Sequence, residues 1–466
     1  MGVFDGLEPK DVLYYFEQIC AIPHPSGHPD RIGDYCEAFA GAHKLRYLRD
    51  KAGNVVIFKD GNSAKTPVIL QGHLDMVCVK DDGVQIDFLR DALPVYTDGH
   101  LIRSRGTSLG ADDGIGAAMI LAVLASDLPD LPPIEAVLTM DEETGMFGAA
   151  ALDASVLRSK RMINLDTEYE DVIYVACAGG ARVTITQKPE TSAIDDACLC
   201  VSLTGFAGGH SGTEIGTGRL NAVRETAKML REIPDCRLVS LCGGEVDNAI
   251  PNACTAVFCA DADAWMRVRN KYKAQILQSE PNAVMTVAES PAESALTAKS
   301  TREVLDLICA LPNGVQKWSD EIENFVETSL NLGRCRVGAQ GLELHYSVRS
   351  SVDCAKEALV ESMRKTAESY GASFETSGAY PAWQYRKDSP LRDAAVSAYK
   401  TVLGKTPQAL AIHAGLECGL FCGKIADLDC ISIGPDIEKI HSPEECLDTH
   451  SAARMYKVLL ETLRNL

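Results

Sequence analysis

The chain has 466 residues, of which 46% are hydrophobic and 24% charged, and its formal net charge is −20. This composition is typical of a globular protein, and the length predicts two domains rather than a single core. The negative charge argues against nucleic acid and against an anionic membrane as the main partner, because both repel an acidic surface.

The N-terminal residues have no basic region followed by an apolar stretch, so we expect no signal peptide. We also expect no membrane span, because the chain lacks a run of about 18 apolar residues. The 17 cysteines are dispersed, and neither Cys198-x-Cys200 nor Cys418-x3-Cys422 has a second pair at zinc-site spacing. We therefore expect reduced cysteines, buried as small apolar residues, and a cytoplasmic location.

Helical and strand patterns alternate in the first part of the chain. Helices are predicted at residues 8–21 and 28–47, and a helix rich in small residues starts at Ile115. The predicted strands cover residues 54–58, 68–70, 134–140 and 161–165. Strands separated by helices predict an α/β domain with a mainly parallel sheet.

The pattern changes near residue 188, where longer strands alternate with helices in a way that favours an antiparallel sheet covered by helices. The predicted strands are 197–204, 255–259, 283–287, 324–332 and 341–349. The predicted helices are 221–233, 264–279, 300–311 and 354–370. A helix at 391–403 and a strand at 429–433 then return to the first pattern. We infer an α+β domain at 188–382, inserted into a discontinuous α/β domain formed by 1–187 and 383–466.

Acidic residues occur at four successive strand-to-loop junctions. The first junction follows the strand that leads into His73-Leu-Asp75. Alternate residues of a strand face the same side, so the side chains of His73 and Asp75 can converge. The other three junctions contain Asp112-Asp113, Glu142-Glu143 and Asp166-Thr167-Glu168, and His441 follows the last strand of the same domain. Because the carboxyl ends of parallel strands meet at one edge of a sheet, this pattern predicts a two-metal hydrolase.

Each of these residues also has an ordinary structural interpretation. His73 fits a buried core histidine, Asp112 and Asp113 fit helix N-caps, and His441 fits the surface. The joint pattern favours the metal site, in which one carboxylate must bridge two mutually repelling dications. Imidazole and carboxylate ligands suit zinc, with cobalt and manganese as alternatives.

Several longer motifs carry a family resemblance that extends essentially from end to end. They are Gly72-His-Leu-Asp-Met76, Ser108-Leu-Gly-Ala-Asp-Asp-Gly-Ile-Gly116, Asp141-Glu-Glu-Thr-Gly145, Asn164-Leu-Asp-Thr-Glu168 and Gly208-Gly-His-Ser-Gly212. These motifs resemble the bacterial aminoacyl-histidine dipeptidases (Xaa-His dipeptidases, carnosine-cleaving), of the co-catalytic zinc aminoacylase/carboxypeptidase metallopeptidase family. The resemblance implies a two-domain metallopeptidase whose inserted domain serves as a lid and in dimerisation.

The resemblance also implies a ligand set. His73 and Asp166 would bind one metal ion, Glu143 and His441 the other, and Asp112 would bridge the two. A cis peptide bond would link Asp112 to Asp113. His441 is preferred to His413 as the last ligand, because residues 434–444 resemble the closing ligand segment of the family.

The remaining roles implied by the resemblance are catalytic and substrate-binding. Glu142 would be the general base, and the carboxylate of Asp75 would hold the His73 ring. His210 would reach across a dimer to the scissile carbonyl, and Arg349 would bind the substrate's terminal carboxylate. Further substrate contacts are expected from Asn248, Asn331 and Gly415.

The sequence thus predicts a cytoplasmic, homodimeric dipeptidase with two divalent metal ions per subunit. Its substrates would be short unblocked dipeptides, with Xaa-His and β-alanyl-histidine implied by the resemblance alone. A tripeptidase or an N-acyl amino acid amidohydrolase on the same scaffold is the first alternative. A metal-binding protein without catalytic activity is the second.

Overall fold

A computed structural model of the protein describes residues 2–195 and 197–466. The chain divides into two compact units. The first comprises Met1–Ala176, Trp383–Ala411 and Leu416–Leu466, and the second comprises Cys177–Ala382 and Ile412–Gly415. Within the described residues, no helix combines the length and the apolar character that a membrane crossing requires.

The α-helices, in chain order, are α1 Lys10–Cys20, α2 Asp30–Ala42, α3 Ala111–Ala125, α4 Phe147–Ala151, α5 Ala222–Arg231, α6 Ala262–Ser279, α7 Ala298–Ala310, α8 Asp353–Ser369, α9 Pro390–Leu403, α10 Glu417–Lys424 and α11 Thr449–Asn465.

The strands, in the same order, are β1 Arg46–Arg49, β2 Val55–Lys59, β3 Val68–His73, β4 Val95–Thr97, β5 Leu101–Ser104, β6 Ile134–Thr139, β7 Arg161–Asn164, β8 Val172–Cys177, β9 Gly179–Gln187, β10 Thr191–Ala193, β11 Cys198–Thr204, β12 Gly209–His210, β13 Arg237–Gly243, β14 Ala249–Ile250, β15 Cys254–Cys259, β16 Val284–Ser290, β17 Ser294–Leu296, β18 Gly314–Trp318, β19 Val326–Gly338, β20 Gly341–Ser350, β21 Ser373–Tyr380, β22 Gln408–Ile412, β23 Asp429–Ser432, β24 Ile437–Glu438 and β25 Cys446–Asp448.

The main sheet of the first unit has the order β1-β2-β6-β3-β7-β23-β8-β22. Its centre is parallel, because β3 pairs in parallel with β6 and β7, and β7 pairs in parallel with β23. Antiparallel pairs flank this centre, with β1 and β2 on one side and β8 on the other. All residues of β3 and β6 are buried, as expected for central strands covered on both faces.

A smaller sheet in the first unit carries the C-terminal candidate ligand. Its order is β24-β25-β5-β4, and β25 pairs antiparallel with both β24 and β5. The loop between β24 and β25 contains His441, so that the position of this histidine depends on the small sheet.

The second unit is built on an antiparallel sheet with the order β16-β11-β15-β13-β19-β20-β9-β21, and β18 pairs with β19 beside it. Alternate residues of β20 are buried: Leu342, Leu344, Tyr346 and Val348. They join one hydrophobic cluster with side chains of α5, α6, α7 and α8. One face of the sheet thus packs on helices, the arrangement that the sequence pattern predicts.

The division between the units lies before β9, whereas the sequence pattern places the first domain boundary at 187/188. The reason is strand pairing: β9 pairs antiparallel with β20 and with β21, both in the second unit. The long segment of the second unit ends at Ala382. The short segment Ile412–Gly415 also belongs to the second unit, which the sequence does not indicate.

Two local expectations are wrong. The helix predicted at 28–47 ends at Ala42, because Lys44 adopts a left-handed conformation and Arg46–Arg49 becomes strand β1. The expectation of reduced cysteines also fails at one pair, since Cys198 and Cys259 on the paired strands β11 and β15 form a disulfide.

Candidate metal centre

The parallel strands of the first unit deliver the predicted residues to one edge of the sheet. His73 is the last residue of β3, and Asp166 follows β7 closely. Glu142 and Glu143 follow β6, which is paired with β3. Neighbouring parallel strands end on the same side, so these side chains meet although they are distant in the chain.

Asp112 lies at the centre of two clusters of potential ligands. His73 Nε2 is 3.2 Å from Asp112 Oδ1 and 3.6 Å from Asp166 Oδ1. On the other side, His441 Nε2 is 3.2 Å from Asp112 Oδ2 and 2.9 Å from Glu143 Oε1. The two oxygens of Asp112 therefore face different clusters, the arrangement that a bridging carboxylate requires.

These separations fit metal coordination. Ligand bonds of 2.0–2.1 Å in a tetrahedral zinc site place the ligand atoms about 3.3 Å from one another. The donors are imidazole nitrogens and carboxylate oxygens, which suit zinc, cobalt and manganese. His73 is buried, and Asp112 and Asp166 are largely covered, with side-chain exposures of 1%, 10% and 10%. Burial and the nearby carboxylate of Asp112 raise the pKa of Asp166, and divalent cations would relieve this repulsion between the carboxylates.

The protonation equilibria reflect this crowding of charge. Burial alone would lower the pKa of His73, but the carboxylates of Asp166 and Asp112 raise it well above its usual value. Hydrogen bonds to Asp112 and Glu143 raise the pKa of His441 to about 10. Burial would raise the pKa of Asp112, but its bonds to His441 and His73 hold that pKa below its usual range. Both histidines thus gain protons where cations are absent.

Asp75 connects two parts of the centre. Its carboxylate accepts hydrogen bonds from the backbone nitrogens of Glu142, at 3.0 Å, and Glu143, at 3.3 Å, and from Ser26 Oγ at 2.7 Å. His73 Nδ1 lies 2.9 Å from the backbone oxygen of Asp75 and 3.6 Å from its carboxylate. The backbone carbonyl is therefore the nearer partner of the ring, whereas the carboxylate mainly positions the Glu142-Glu143 turn.

Glu142 faces the same centre as its neighbour. The ligand atoms of Glu142, Glu143 and His73 lie within 4.8 Å of one another. Burial, together with the nearby carboxylates of Asp166 and Glu417, raises the pKa of Glu142 well above its usual value. Glu142 lies beside the candidate ligands but outside their closest pairs, a position suited to accepting and returning a proton.

Asp113 is held behind the centre. The Asp112-Asp113 peptide bond is cis, and Asp113 Oδ2 accepts a hydrogen bond from the backbone nitrogen of His73 at 3.1 Å. Glycines at 72 and 116 leave room for this carboxylate, since a Cβ atom at either position would collide with it. A steric requirement thus explains why glycine occupies these two positions of the sequence motifs.

The second unit contains the predicted substrate-binding residues His210, Asn248, Asn331, Arg349 and Gly415. His210 is on β12, which pairs with β14, and the backbone nitrogen of the following Ser211 donates to the Asn248 carbonyl at 2.8 Å. Asn331 is buried, and its amide nitrogen donates to the carbonyls of Ala249, at 2.7 Å, and Asp247, at 3.3 Å. These contacts of Asn331 hold the loop that carries Asn248.

Arg349 ends β20 beside Tyr380. Its Nη1 donates to Tyr380 OH at 3.3 Å, whereas its buried Nε has no hydrogen-bond partner among the described residues. A side chain at Gly415 would collide with the Tyr380 ring. The Nε2 atom of His413, the alternative histidine, lies 2.7 Å from Ser329 Oγ. Burial, together with the charge of Arg349, lowers the pKa of His413 to about 3. His413 therefore belongs to this second-unit cluster, whereas His441 lies beside Asp112 and Glu143.

Comparison with known proteins decides the family. The family model "Peptidase family M20/M25/M40" matches residues 69–465, which include every residue of the two ligand clusters. The chain belongs to this peptidase family. The peptidase is 37% identical to the cytosol non-specific dipeptidase of Escherichia coli (strain K12), over 100% of this chain and 99% of that protein.

Solved structures agree with this assignment. The peptidase matches the aminoacylhistidine dipeptidase of Vibrio alginolyticus with a TM-score of 0.91 and 34% identity, over 99% of this chain and 97% of that one. It matches aminopeptidase PepT of Bacillus cereus ATCC 10987 with a TM-score of 0.59 and 15% identity, over 98% and 99% of the two chains. The second likeness shows the fold alone.

Sequence reasoning missed two buried carboxylates that support the centre of the peptidase. The carboxylate of Glu445 accepts hydrogen bonds from the backbone nitrogens of four consecutive residues: Leu109 at 2.8 Å, Gly110 at 3.1 Å, Ala111 at 2.8 Å and Asp112 at 3.4 Å. This carboxylate fixes the loop that carries Asp112. The available signal was weak: an acidic residue shortly after His441 and a loop of small residues before Asp112.

The other carboxylate is Glu417, at the start of α10. Its Oε2 accepts hydrogen bonds from Gln71 Nε2 and from Thr139 Oγ1, the latter at 2.6 Å. Gln71 Oε1 in turn accepts from Asn164 Nδ2 at 2.7 Å, so a buried polar network crosses β6, β3 and β7 beneath the metal centre. Burial raises the pKa of Glu417 to about 7. The sequence has no local signal for this contact.

Proposed function

We propose that this peptidase hydrolyses unblocked dipeptides with two divalent metal ions per subunit. The observation that carries the proposal is the position of Asp112, whose two oxygens face His73 on one side and His441 on the other. His73 and Asp166 would hold one ion, Glu143 and His441 the second, and Asp112 both. Zinc suits these donors best, and cobalt and manganese are the alternatives.

The ions, when bound, would supply acidification of water and polarisation of the scissile carbonyl. The protein's own part in the reaction is proton transfer and orientation. Glu142 takes the proton of the attacking water and returns it to the leaving amine, since its carboxyl group lies close to the ligand atoms of His73 and Glu143. Asp75 orients Glu142 and Glu143 by accepting their backbone N–H groups.

For the substrate contacts we propose the second-unit residues. Arg349 would bind the terminal carboxylate of the dipeptide, and the unpaired buried Nε of its guanidinium supports this role. His210 would donate to the scissile carbonyl, with Asn248, Asn331 and Gly415 as further contacts. Burial and the charge of Arg349 lower the pKa of His210, which keeps its imidazole neutral near pH 7.

The proposed substrates are Xaa-His dipeptides, including β-alanyl-histidine. The end-to-end similarity to proteins named as a cytosol non-specific dipeptidase and an aminoacylhistidine dipeptidase supports this class. We also propose a cytoplasmic homodimer whose main partners are neither nucleic acid nor membrane, consistent with the net charge of −20.

The test is a substrate panel assayed with metal-stripped and zinc-restored protein. We expect Ala-His and β-alanyl-histidine to be cleaved after zinc is restored, with Ala-Ala-His and N-acetylalanine cleaved far more slowly. Preferred cleavage of the tripeptide would instead identify a tripeptidase, and preferred cleavage of the N-acetyl amino acid an amidohydrolase. Activity that survives metal removal would contradict the two-metal proposal.

A further inference from the structure

Another cluster of potential metal ligands lies in the first unit, outside the proposed catalytic centre. It comprises His100, Asp448 and His450. His100 directly precedes β5, Asp448 is the last residue of β25, and His450 is in the first turn of α11. None of the three residues is in either cluster around Asp112, so the proposed peptidase mechanism does not use them.

Backbone hydrogen bonds hold these three residues together. Strands β25 and β5 pair antiparallel, with Asp448 opposite Leu101. The carbonyl of His100 accepts from both the backbone nitrogen and the hydroxyl of Thr449, at 3.0 and 2.9 Å. The backbone nitrogen of His100 donates to Asp98 Oδ1 at 2.9 Å. The turn before β5 and the start of α11 are thus fixed to each other by the main chain.

The carboxylate of Asp448 divides its two oxygens between two tasks. Oδ1 caps α11 by accepting from the Ser451 backbone nitrogen at 2.9 Å. Oδ2 lies 3.4 Å from His100 Nε2. This distance is close to the edge of a tetrahedral zinc site, about 3.3 Å for ligand bonds of 2.0–2.1 Å. Oδ2 of Asp448 is therefore directed to His100, while Oδ1 caps α11.

The second histidine completes a set of three donors. The ring centroids of His100 and His450 are 4.8 Å apart. One ligand atom from each residue lies within 4.8 Å of the other two, as in the clusters His73-Asp112-Asp166 and Asp112-Glu143-His441.

Chemistry and exposure restrict the occupant. Two imidazoles and one carboxylate favour zinc, cobalt, nickel or copper over magnesium or calcium, which prefer oxygen ligands alone. The side chains of His100 and Asp448 are 54% and 22% exposed, so a hydrated ion can reach them and keep water in its remaining positions. These features describe an open surface site rather than a closed structural one.

We propose that His100, Asp448 and His450 bind an additional divalent transition-metal ion of the zinc class, separate from the catalytic pair. The ion bridges the turn before β5 to the start of α11 and so stabilises the end of β25. The proposal is independent of the peptidase activity, because its ligands are not those of the catalytic centre.

The test counts metal ions on the whole protein. Metal-stripped wild type, the H100A/H450A double variant and an H345A control are equilibrated with buffered Zn²⁺ at increasing free concentration, and bound zinc is measured by mass spectrometry. His345 is a suitable control because it pairs with Glu343 on the surface and belongs to none of the three-ligand groups among the described residues.

We expect wild type and H345A to bind one more zinc ion per chain than H100A/H450A, while all three retain dipeptidase activity in zinc. Equal zinc content in wild type and the double variant would overturn the proposal. Asp448 is left unchanged because its substitution would also remove the cap of α11.

A second measurement needs no variant. Crystals of the wild-type protein soaked in Zn²⁺ should show an anomalous scattering peak among His100, Asp448 and His450, in addition to any at Asp112. A catalytic centre with zinc beside an empty surface cluster would refute the additional site and leave the proposed function intact. A peak at the surface cluster alone would support the additional site and contradict the two-metal mechanism.

Discussion

Glu445 and Asp112 are 333 positions apart in the chain, yet Glu445 Oε1 accepts a hydrogen bond from the Asp112 backbone nitrogen at 3.4 Å. The same carboxylate accepts from the three residues that precede Asp112. The segment that supplies His441 thus also fixes the backbone of the proposed bridging ligand. This relationship makes Glu445 a positioning residue for the metal centre.

Substitution of Glu445 should therefore weaken the centre without removing a ligand. Glu445→Gln presents an amide donor to backbone donors, so we expect a loss on the order of 2–3 kcal/mol in the free energy of unfolding and weaker zinc binding. Urea unfolding and zinc titration measure the two effects.

The neighbouring Glu444 supplies the control. It is exposed and pairs only with Lys439 among the described ion pairs, so Glu444→Gln should change stability by less than about 1 kcal/mol. If Glu445→Gln and Glu444→Gln had equal effects on stability and zinc binding, the Glu445 contacts would not position Asp112.

Substitutions of Glu142 and Glu143 should have different effects on activity and on bound metal. Glu142→Gln should lower kcat by about 10²–10⁴-fold, because the proton acceptor is removed, while about two metal ions per chain remain bound. Glu143→Gln should lose activity together with bound metal, because its oxygen contacts His441 at the second cluster. Activity assays and metal analysis on both variants distinguish the roles; an active Glu142→Gln enzyme excludes Glu142 as the base.

Gly116 should tolerate no side chain. A Cβ at this position meets the Asp113 carboxylate and the Leu165 carbonyl, so Gly116→Ala should destabilise the protein by about 1–3 kcal/mol. Gly41 is also in a helix, and beyond its chain neighbours and its own helix backbone no heavy atom of the described residues lies within 4 Å of the corresponding Cβ. Gly41→Ala should be neutral or stabilising by up to about 1 kcal/mol. Thermal unfolding compares the two; a stable Gly116→Ala variant would argue against tight packing around Asp113.

Zinc binding should release protons and become tighter as the pH rises. His441 has a pKa of about 10 in the metal-free fold, so at pH 7 its proton must leave before the ring binds a cation. Calorimetry of zinc binding in buffers of different ionisation enthalpy measures this release. Zinc binding without proton release between pH 6 and 8 would contradict the assignment of His441.

The same raised pKa predicts the pH dependence of metal-free stability. The folded-state pKa of His441 lies above the unfolded value of about 6.5, so its contribution is fully present below pH 6.5 and is lost as the pH rises toward 10. Denaturant unfolding of metal-free wild type and His441→Ala should show a difference that shrinks over this interval. A difference that grows with pH would have the wrong sign.

Arg349 should matter for substrates that carry a free carboxylate. Arg349→Lys keeps the charge but loses the planar pair of donors, so we expect kcat/KM for Ala-His to fall about 10–100-fold. The amide of Ala-His, which lacks the carboxylate, should be cleaved equally slowly by the wild type and the variant. A similar loss on both substrates would assign Arg349 a structural role through Tyr380 rather than carboxylate binding.

Local sequence pattern is enough to predict which residue types stand at the ends of the parallel strands. Strands β3, β6 and β7 are strongly apolar segments ended by His73, Glu142-Glu143 and Asp166, so both the α/β class and the candidate ligands follow from local pattern. The family resemblance added the assignment of roles, and the match to the peptidase family covers residues 69–465.

The contacts that hold these residues in place depend on how distant segments of the chain fold together. Glu445 accepts hydrogen bonds from the loop before Asp112, and Glu417 accepts one from Gln71. Cys198 forms a disulfide with Cys259 on the paired strand. The start of the second unit before β9 likewise depends on strand pairing rather than on composition. Such contacts join distant segments, and local periodicity has no information about which distant group will satisfy a buried carboxylate.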